Sequence, residues 1–462
     1  MEFIKGQKIH LIGIGGFGIS AIARILLERG FTISGSDKQA NALTEALARD
    51  GATIHIGHAP EHIHDADMVI RTSAVKDDHI EVAEAHRLNI PVYKRQDILE
   101  ALFKDDFVIA IAGTHGKTTT TAMTVHVLQE CQSPPSYIVG GIMANTGKNA
   151  GVSKIDRFVI EADEYDNAFW GIPANVVILT NVEYDHPDFF VNDSVMLDSF
   201  RKFLDRMRPY STLVICADSP YAVKLANEYR SKVRYVYTYG INHSADMMAT
   251  NIRVDADKTH FDILTTGSLE SFRYIPEHIT LPMTGLHNVQ NALGALLVAS
   301  TIDDVNLDGI VKAFASFKST GRRFEIRGER DGIIVVDDYA HHPTAIKMTI
   351  EGAKLRYPNH HIWAVWQPHM YSRTGILMED YAHAFYQADA VVVTDIYAAR
   401  ENPIKNIDGA WATEKIKHEH KHFGGDLEAT AQYLRDHVQA PALVLIMSAG
   451  DAPKIGELFL KG

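Results

Sequence analysis

Lys117 and Thr118 follow the loop Gly113-Thr114-His115-Gly116, and the run before it, residues 108–112, is wholly apolar. The apolar run reads as a buried parallel strand, and residues 122–129 have helix-compatible composition. Strand, glycine loop, Lys-Thr and helix together make a phosphate-binding loop. Glycines let backbone N–H groups close around phosphate oxygens, and the helix N-terminus adds the positive end of its dipole. The Lys117 ammonium suits the β- and γ-phosphates of a nucleotide, and the Thr118 hydroxyl suits Mg²⁺. The loop is shorter than G-x-x-x-x-G-K-[ST], whose first glycine would fall at Ile111. A tight turn with a surface lysine is the plainer alternative.

Two acidic stretches could serve the same nucleotide. Residues 157–160 read as a strand that delivers Glu161, Asp163, Glu164 and Asp166. Carboxylates this dense repel one another unless a cation sits among them. Residues 176–180 read as the next strand, followed by Glu183, Asp185 and His186. Glu161 and His186 are therefore expected on two neighbouring strand ends facing the phosphate loop. Oxygen and imidazole ligands there suit Mg²⁺ or Mn²⁺. A solvated acidic loop and a core histidine are the plainer readings. Farther on, His287, Asn288 and Asn291 fall at helical spacing. The plainer reading of H-N-V-Q-N is a helix N-terminal capping segment; Asn291 lies too far into the helix for that role and suits contact with an adenine edge.

A second glycine loop opens the chain. Residues 8–14 read as a strand and residues 19–29 as a helix, with a further strand at 31–36 ending at Asp37. Between them Gly13, Gly15 and Gly18 match G-x-G-x-x-G, with Gly16 and Phe17 inside the turn. Alone, this motif reads as an NAD or FAD site, and an NAD-dependent oxidoreductase is the distant alternative for the whole chain. Its physical content is narrower: a diphosphate on a helix N-terminus and a carboxylate on a ribose hydroxyl. A UDP-linked substrate meets both conditions.

The bulk properties narrow the class. The chain has 462 residues, too many for one core and enough for about three domains. A net charge of −13 gives no general affinity for nucleic acid. No apolar run approaches a membrane span, and the first residues run straight into a strand without a signal peptide. Two cysteines, Cys131 and Cys216, argue against a disulfide framework and fit a cytoplasmic protein.

The elements that must carry these residues alternate strand and helix, which predicts α/β domains with mostly parallel sheets. Further strands are expected at residues 65–73 and 90–93, and a closing helix at 96–104. Gly140-Gly141 and residues 145–149 read as loop. In the last third, strands at 333–336, 362–365, 390–394 and 442–447 each lead into a polar set, where such sheets bind ligands. The expected domains are 1–104, 105–319 and 320–462.

G-T-H-G-K-T-T-T-T, E-A-D-E-Y-D, N-V-E-Y-D-H, H-N-V-Q-N-A, T-G-R-R-F-E and D-D-Y-A-H-H-P together resemble the Mur ligase family of peptidoglycan synthesis. The resemblance runs from the first glycine loop to Asp451. It implies three domains, for a UDP-sugar, for ATP and for an amino acid. It implies a cytoplasmic ligase, monomer or homodimer, that uses ATP and Mg²⁺ (or Mn²⁺) to join L-alanine to UDP-N-acetylmuramate through an acyl phosphate. Alanine follows from Q-P-H-M-Y-S-R-T and T-D-I-Y-A-A-R-E; E-Y-D is shared with the family's murein tripeptide ligase, which is the alternative.

By the same resemblance, Lys117, His186 and Arg322 are catalytic. Thr118, Glu161 and His186 hold metal. ATP lies on Gly113, Thr114, His115, Gly116, Lys117, Thr118 and Thr119, with His287, Asn291, Arg322 and Asp338. The UDP-sugar lies on Gly13, Gly15, Gly16, Phe17, Gly18, Asp37, Ser73 and Asn149. Tyr339, His341 and Arg373 receive alanine. Met370 stands where many such ligases carry a second basic residue, and no lysine is a clear candidate for carbamylation.

Overall fold

The computed structural model describes residues 3–461 apart from residues 73, 256, 268, 270, 271, 273, 303 and 304. Ser73, expected near the uridine, lies outside the described residues. Among these residues the strands form sheets of five, ten and six strands. The first holds β1 (Lys8–Ile12), β2 (Thr32–Asp37), β3 (Thr53–Ile56), β4 (Met68–Arg71) and β5 (Val92–Lys94) in the order β3-β2-β1-β4-β5. All its pairings are parallel. β1 stops two residues earlier than expected because Gly13 turns the chain at φ +78. Helix α1 (Phe17–Glu28) then starts at the loop itself. Helices α2 (Ala42–Arg49), α3 (Ile80–Arg87) and α4 (Arg95–Leu102) complete this part.

The central sheet is built from β6 (Phe107–Ala112), β7 (Ser136–Met143), β8 (Lys148–Gly151), β9 (Arg157–Glu161), β10 (Val176–Leu179), β11 (Thr212–Cys216), β12 (Tyr235–Gly240), β13 (Met247–Asp255), β14 (Lys258–Thr265) and β15 (His278–Leu281). Their order is β15-β14-β13-β12-β11-β10-β6-β9-β7-β8. Two expectations are corrected here. Strands β9 and β10 are not neighbours; they flank β6, so their ends stand on either side of the phosphate loop. Gly140 and Gly141 lie inside β7, not in a loop, and residues 148–149 lie in β8. Glycine is needed at 140 because a Cβ there would stand 2.5 Å from Glu161 Oε2.

Helix α5 (Lys117–Glu130) starts five residues earlier than composition indicated. Four consecutive β-branched threonines disfavour a helix. Here three of the four hydroxyls have partners: Thr121 Oγ1 donates to Lys117 O at 2.7 Å, Thr120 to Asn291 Oδ1 at 3.1 Å and Thr118 to Glu161 at 2.9 Å. The whole α5 surface from Thr118 to Leu128 is buried.

The third sheet holds β16 (Glu325–Arg330), β17 (Ile333–Asp338), β18 (His361–Trp366), β19 (Ala390–Thr394), β20 (Lys421–Gly425) and β21 (Ala442–Met447), in the order β16-β17-β21-β18-β19-β20. Only the β16 pairing is antiparallel. Apolar strands such as β21, buried throughout, are what two helix-covered faces require. Among the described residues no helix is long and apolar enough to cross a membrane. Cys131 and Cys216 are free and buried.

Candidate active site

A cavity of about 790 Å³ opens where the three parts meet. Its walls include Phe17 and Gly18 from the first, residues 114–119 from the phosphate loop, and Arg322, Asp338, Tyr339, His341 and Arg373 from the third. His186, Glu161, His287 and Asn291 line it as well.

The phosphate loop is shaped from below. Gly113 has φ +133 and Gly116 φ +78, conformations that favour glycine. Asn181 holds the loop by accepting the His115 N–H at 2.8 Å, and Thr180 donates to His115 O at 2.6 Å. Asn291, expected at an adenine, packs under the loop; a Cβ on Gly116 would stand 2.5 Å from its Oδ1.

Lys117 bends over its own loop. Its ammonium donates to Gly113 O at 2.6 Å, Thr114 O at 3.2 Å and Glu164 Oε2 at 2.7 Å. Burial draws the lysine pKa down, but Glu164 and Asp163 outweigh it and raise the pKa. Burial would raise the Glu164 carboxyl, yet Lys117 and His186 hold it below the usual range. Glu164 was part of the acidic run, but nothing in its spacing singled it out as the lysine's partner.

Thr118 and Glu161 meet at 2.9 Å, and Gly140 N–H donates to the other Glu161 oxygen at 2.6 Å. Burial raises the Glu161 carboxyl despite nearby Lys117. A buried hydroxyl beside a carboxylate that burial penalises is a fitting pair of oxygen ligands for Mg²⁺ or Mn²⁺. His186 is engaged elsewhere: Nε2 lies 3.6 Å from Glu164 Oε1 and Nδ1 lies 3.2 Å from an Arg373 nitrogen. Burial lowers its pKa, but Asp185 and Glu164 raise it on balance.

The third part contributes a buried cation. Arg373 is 2% exposed, and its Nε donates to Asp185 Oδ1 at 2.8 Å across the joint with the central part. The Arg373 and His186 charges hold the Asp185 carboxyl well below the usual range despite burial. Asp185 stands in the N-V-E-Y-D-H run, where only His186 had been singled out. His341 and His369 face the same cation. Burial and Arg373 push His369 down to about 4 and His341 well below its ordinary value.

Arg322 sits at φ +58 with Nε 3.1 Å from Asp337 Oδ2, and its guanidinium also reaches Ser448 O at 2.7 Å. Arg322 and Arg323 both face the Tyr339 ring, at 5.1 and 5.3 Å. Asp338 accepts from Phe324 N and Ala340 N at 2.8 and 2.7 Å, and burial raises its pKa. His342 caps the helix Pro343–Arg356 and lies 3.0 Å from His115 of the phosphate loop.

The first glycine loop is only partly in the cavity. Asp37 Oδ2 accepts the Gly15 N–H at 2.8 Å. Asn149, on β8, is buried and donates to Phe17 O at 3.1 Å and Ser20 Oγ at 3.2 Å, so it fastens the central sheet to α1. Arg95, at the start of α4, lines the cavity beside Gly18 and was not foreseen.

Three family models match in succession. Residues 8–106 match the Mur ligase family, catalytic domain. Residues 111–299 match the Mur ligase middle domain, and residues 322–450 the Mur ligase, glutamate ligase domain. The chain is 39% identical over 465 residues to the UDP-N-acetylmuramate–L-alanine ligase of Thermobifida fusca, covering 99% of this chain and 96% of that relative. It is 40% identical over 460 residues to the ligase of the same name from Pelobacter propionicus, covering 98% and 97%. Among solved structures it is similar to the UDP-N-acetylmuramate-alanine ligase of Thermotoga maritima, with a TM-score of 0.79, 27% identity and 98% of each chain covered. A murein peptide ligase from Psychrobacter arcticus aligns with a TM-score of 0.70 at 25% identity, covering 99% and 98%.

Proposed function

The chain belongs to the Mur ligase family, and we propose that it is an ATP-dependent UDP-N-acetylmuramate–L-alanine ligase. It joins L-alanine to the carboxylate of UDP-N-acetylmuramate in peptidoglycan precursor synthesis. Residues 1–104 take the UDP-sugar, 105–319 take ATP and 320–462 take the amino acid. One observation carries the reading. A phosphate loop with its lysine and a buried arginine beside two imidazoles line the same cavity, although they come from different sheets.

A carboxylate is a poor acyl donor because oxide will not leave. Its oxygen attacks the γ-phosphorus of ATP, ADP departs, and an acyl phosphate forms. The alanine amine then attacks the acyl carbon, a proton is lost from nitrogen, and phosphate leaves. Little covalent work falls to the protein; positioning and charge neutralisation do the rest.

Lys117 shifts from Glu164 and its own loop carbonyls to the phosphates. Thr118 and Glu161, with His186, hold Mg²⁺ or Mn²⁺, which offsets phosphate charge when bound. Arg322 reaches toward the γ-phosphate, His287 and Asn291 stand on the adenine side, and Asp338 takes the ATP ribose. Arg373 pairs with the alanine carboxylate, helped by Tyr339 and His341. Burial keeps His341 and His369 neutral, so neither repels the alanine ammonium as it enters. The loop from Gly13 to Gly18 takes the diphosphate, with Asp37 on the uridine side and Asn149 behind it.

Phosphate release by the full chain tests the reading. It should require ATP, Mg²⁺, UDP-N-acetylmuramate and alanine together, with glycine, serine and the murein tripeptide poorer. A better rate with the tripeptide overturns the alanine choice and leaves the family standing. NAD reduction without phosphate release overturns the ligase reading.

A further inference from the structure

At Ser36, one residue before Asp37, the first sheet gathers histidines around one buried carboxylate. Glu81, in the first turn of α3, has no exposed surface. Its Oε1 faces His62 Nδ1 at 2.8 Å and the Ala59 N–H at 3.3 Å. Its Oε2 accepts from Ser36 Oγ at 2.6 Å and lies 3.5 Å from His58 Nδ1. His79, the N-cap of α3, sets its ring edge-on to His58 with centroids 4.5 Å apart. One ligand atom each from His58, His79 and Glu81 lies within 4.8 Å of the others. None of these residues lines the cavity described above.

We infer that His58, His79 and Glu81 form a binding site for a divalent first-row transition ion such as Zn²⁺, Co²⁺ or Ni²⁺. Two imidazoles and one carboxylate are a borderline donor set that favours these ions over Mg²⁺.

The surroundings are built as a supporting layer. His62 fixes the carboxylate from its far oxygen, and His55 stacks on His62 with centroids 4.1 Å apart and planes at 13°. Metal-ligating carboxylates are typically hydrogen-bonded in this way. Behind Glu81, His10 is fully buried, and its Nε2 has no hydrogen-bond partner while lying 3.8 Å from Glu81 Oε2. That orphaned nitrogen marks a polar pocket whose internal hydrogen bonding is incomplete. The ligands come from the β3–α3 side of the sheet: His58 follows β3, and His79 and Glu81 open α3. An ion there would tie the loop after β3 to the start of α3.

The full chain, stripped by a chelator and then saturated with millimolar Mg²⁺, is titrated with Co²⁺ and followed by its visible d–d absorption. One Co²⁺ that depends on His58 and His79 is expected, apart from any taken by His115, Glu183 and His342, which are grouped as closely. His79→Asn and His58→Gln should each weaken it by at least ~10–100-fold, the loss that even a supporting partner causes. Glu161→Gln, which alters the phosphate-loop cluster, should leave the affinity unchanged. Glu81→Gln removes a buried charge and can unfold the domain, so the two half-buried histidines decide. A wild type that shows no d–d band, or histidine variants that bind Co²⁺ as tightly as wild type, would overturn the site.

Discussion

Two corners of this molecule share one plan: a parallel strand, a glycine turn and a helix that begins at once. At the first, Gly13 to Gly18 lead into α1; at the second, Gly113 to Gly116 lead into α5. The backbone offers both corners the same thing, N–H groups and a helix dipole facing a ligand crevice. Their side chains differ. The second carries Lys117 folded over its own carbonyls and set among Glu161, Asp163 and Glu164. The first begins its helix with Phe17, has no charge in the turn, and meets the Asp37 carboxylate at Gly15. A diphosphate that is only held needs the backbone cradle. A γ-phosphate that is transferred needs charge placed where charge develops. On the proposed function, the contrast separates a holding corner from a reacting one, and variants can test the separation.

The largest effect is expected at Lys117. Lys117→Ala removes the cation and leaves Glu164 buried without it, so turnover should fall by ~10³-fold. UDP-N-acetylmuramate affinity, measured by calorimetry without ATP, should stay within a few-fold. Equal losses in both measurements would erase the distinction between the corners. Glu161→Ala and His186→Ala come next, at ~10²-fold in turnover from lost charge stabilisation. Near-normal phosphate release by both variants at saturating Mg²⁺ would remove them from the metal site.

Arg373 extends the comparison to the third sheet. One charge-assisted bidentate contact is worth ~1.5–3 kcal/mol, so Arg373→Ala should raise the alanine KM about 10–100-fold and leave the ATP KM nearly unchanged. Arg373→Lys should recover only part, since an ammonium lacks the planar fork. The alanine variant also strips Asp185 of its partner across the joint, and thermal unfolding should begin earlier. An unchanged alanine KM would place the amino-acid carboxylate elsewhere.

Motifs made the strand, glycine turn and helix around Lys117 readable, because phosphate chemistry restricts residue types within a few positions of one another. Strand–helix alternation likewise gave three α/β layers with nearly correct strands, as at 390–394 and 442–447. What could not be read depended on distant partners. Gly140-Gly141 look like a loop until Glu161 is seen lying over them. Four threonines look unhelical until three of their hydroxyls meet Glu161, Asn291 and the preceding turn. The Asp185–Arg373 pair joins residues 188 positions apart, and no local period announces it. The histidines around Glu81 come from three separate segments and have no motif at all.

The smallest expected effect lies in the holding corner, and a matched pair of glycine substitutions isolates it. At Gly113 an alanine meets φ +133, with its Cβ 2.5 Å from Asn181 O and also against Thr180 Oγ1. Backbone cannot easily yield, so Gly113→Ala should cost ~2–5 kcal/mol of stability and lose ATP binding. At Gly15 the Cβ would meet Asn41 Nδ2 at 2.7 Å and Asp37 Oδ2 at 2.9 Å, and Gly15 is not in a left-handed conformation. Those atoms are the ends of side chains rather than backbone, but Asn41 also caps α2, so Gly15→Ala should cost ~1–2 kcal/mol, still below Gly113→Ala. Moving Asp37 off the Gly15 N–H would weaken UDP-N-acetylmuramate by a few-fold at most and leave ATP affinity alone. Thermal unfolding and two calorimetric titrations on each variant measure all of this. If Gly15→Ala destabilises the chain more than Gly113→Ala, the two corners are not distinguished by how tightly their turns are backed.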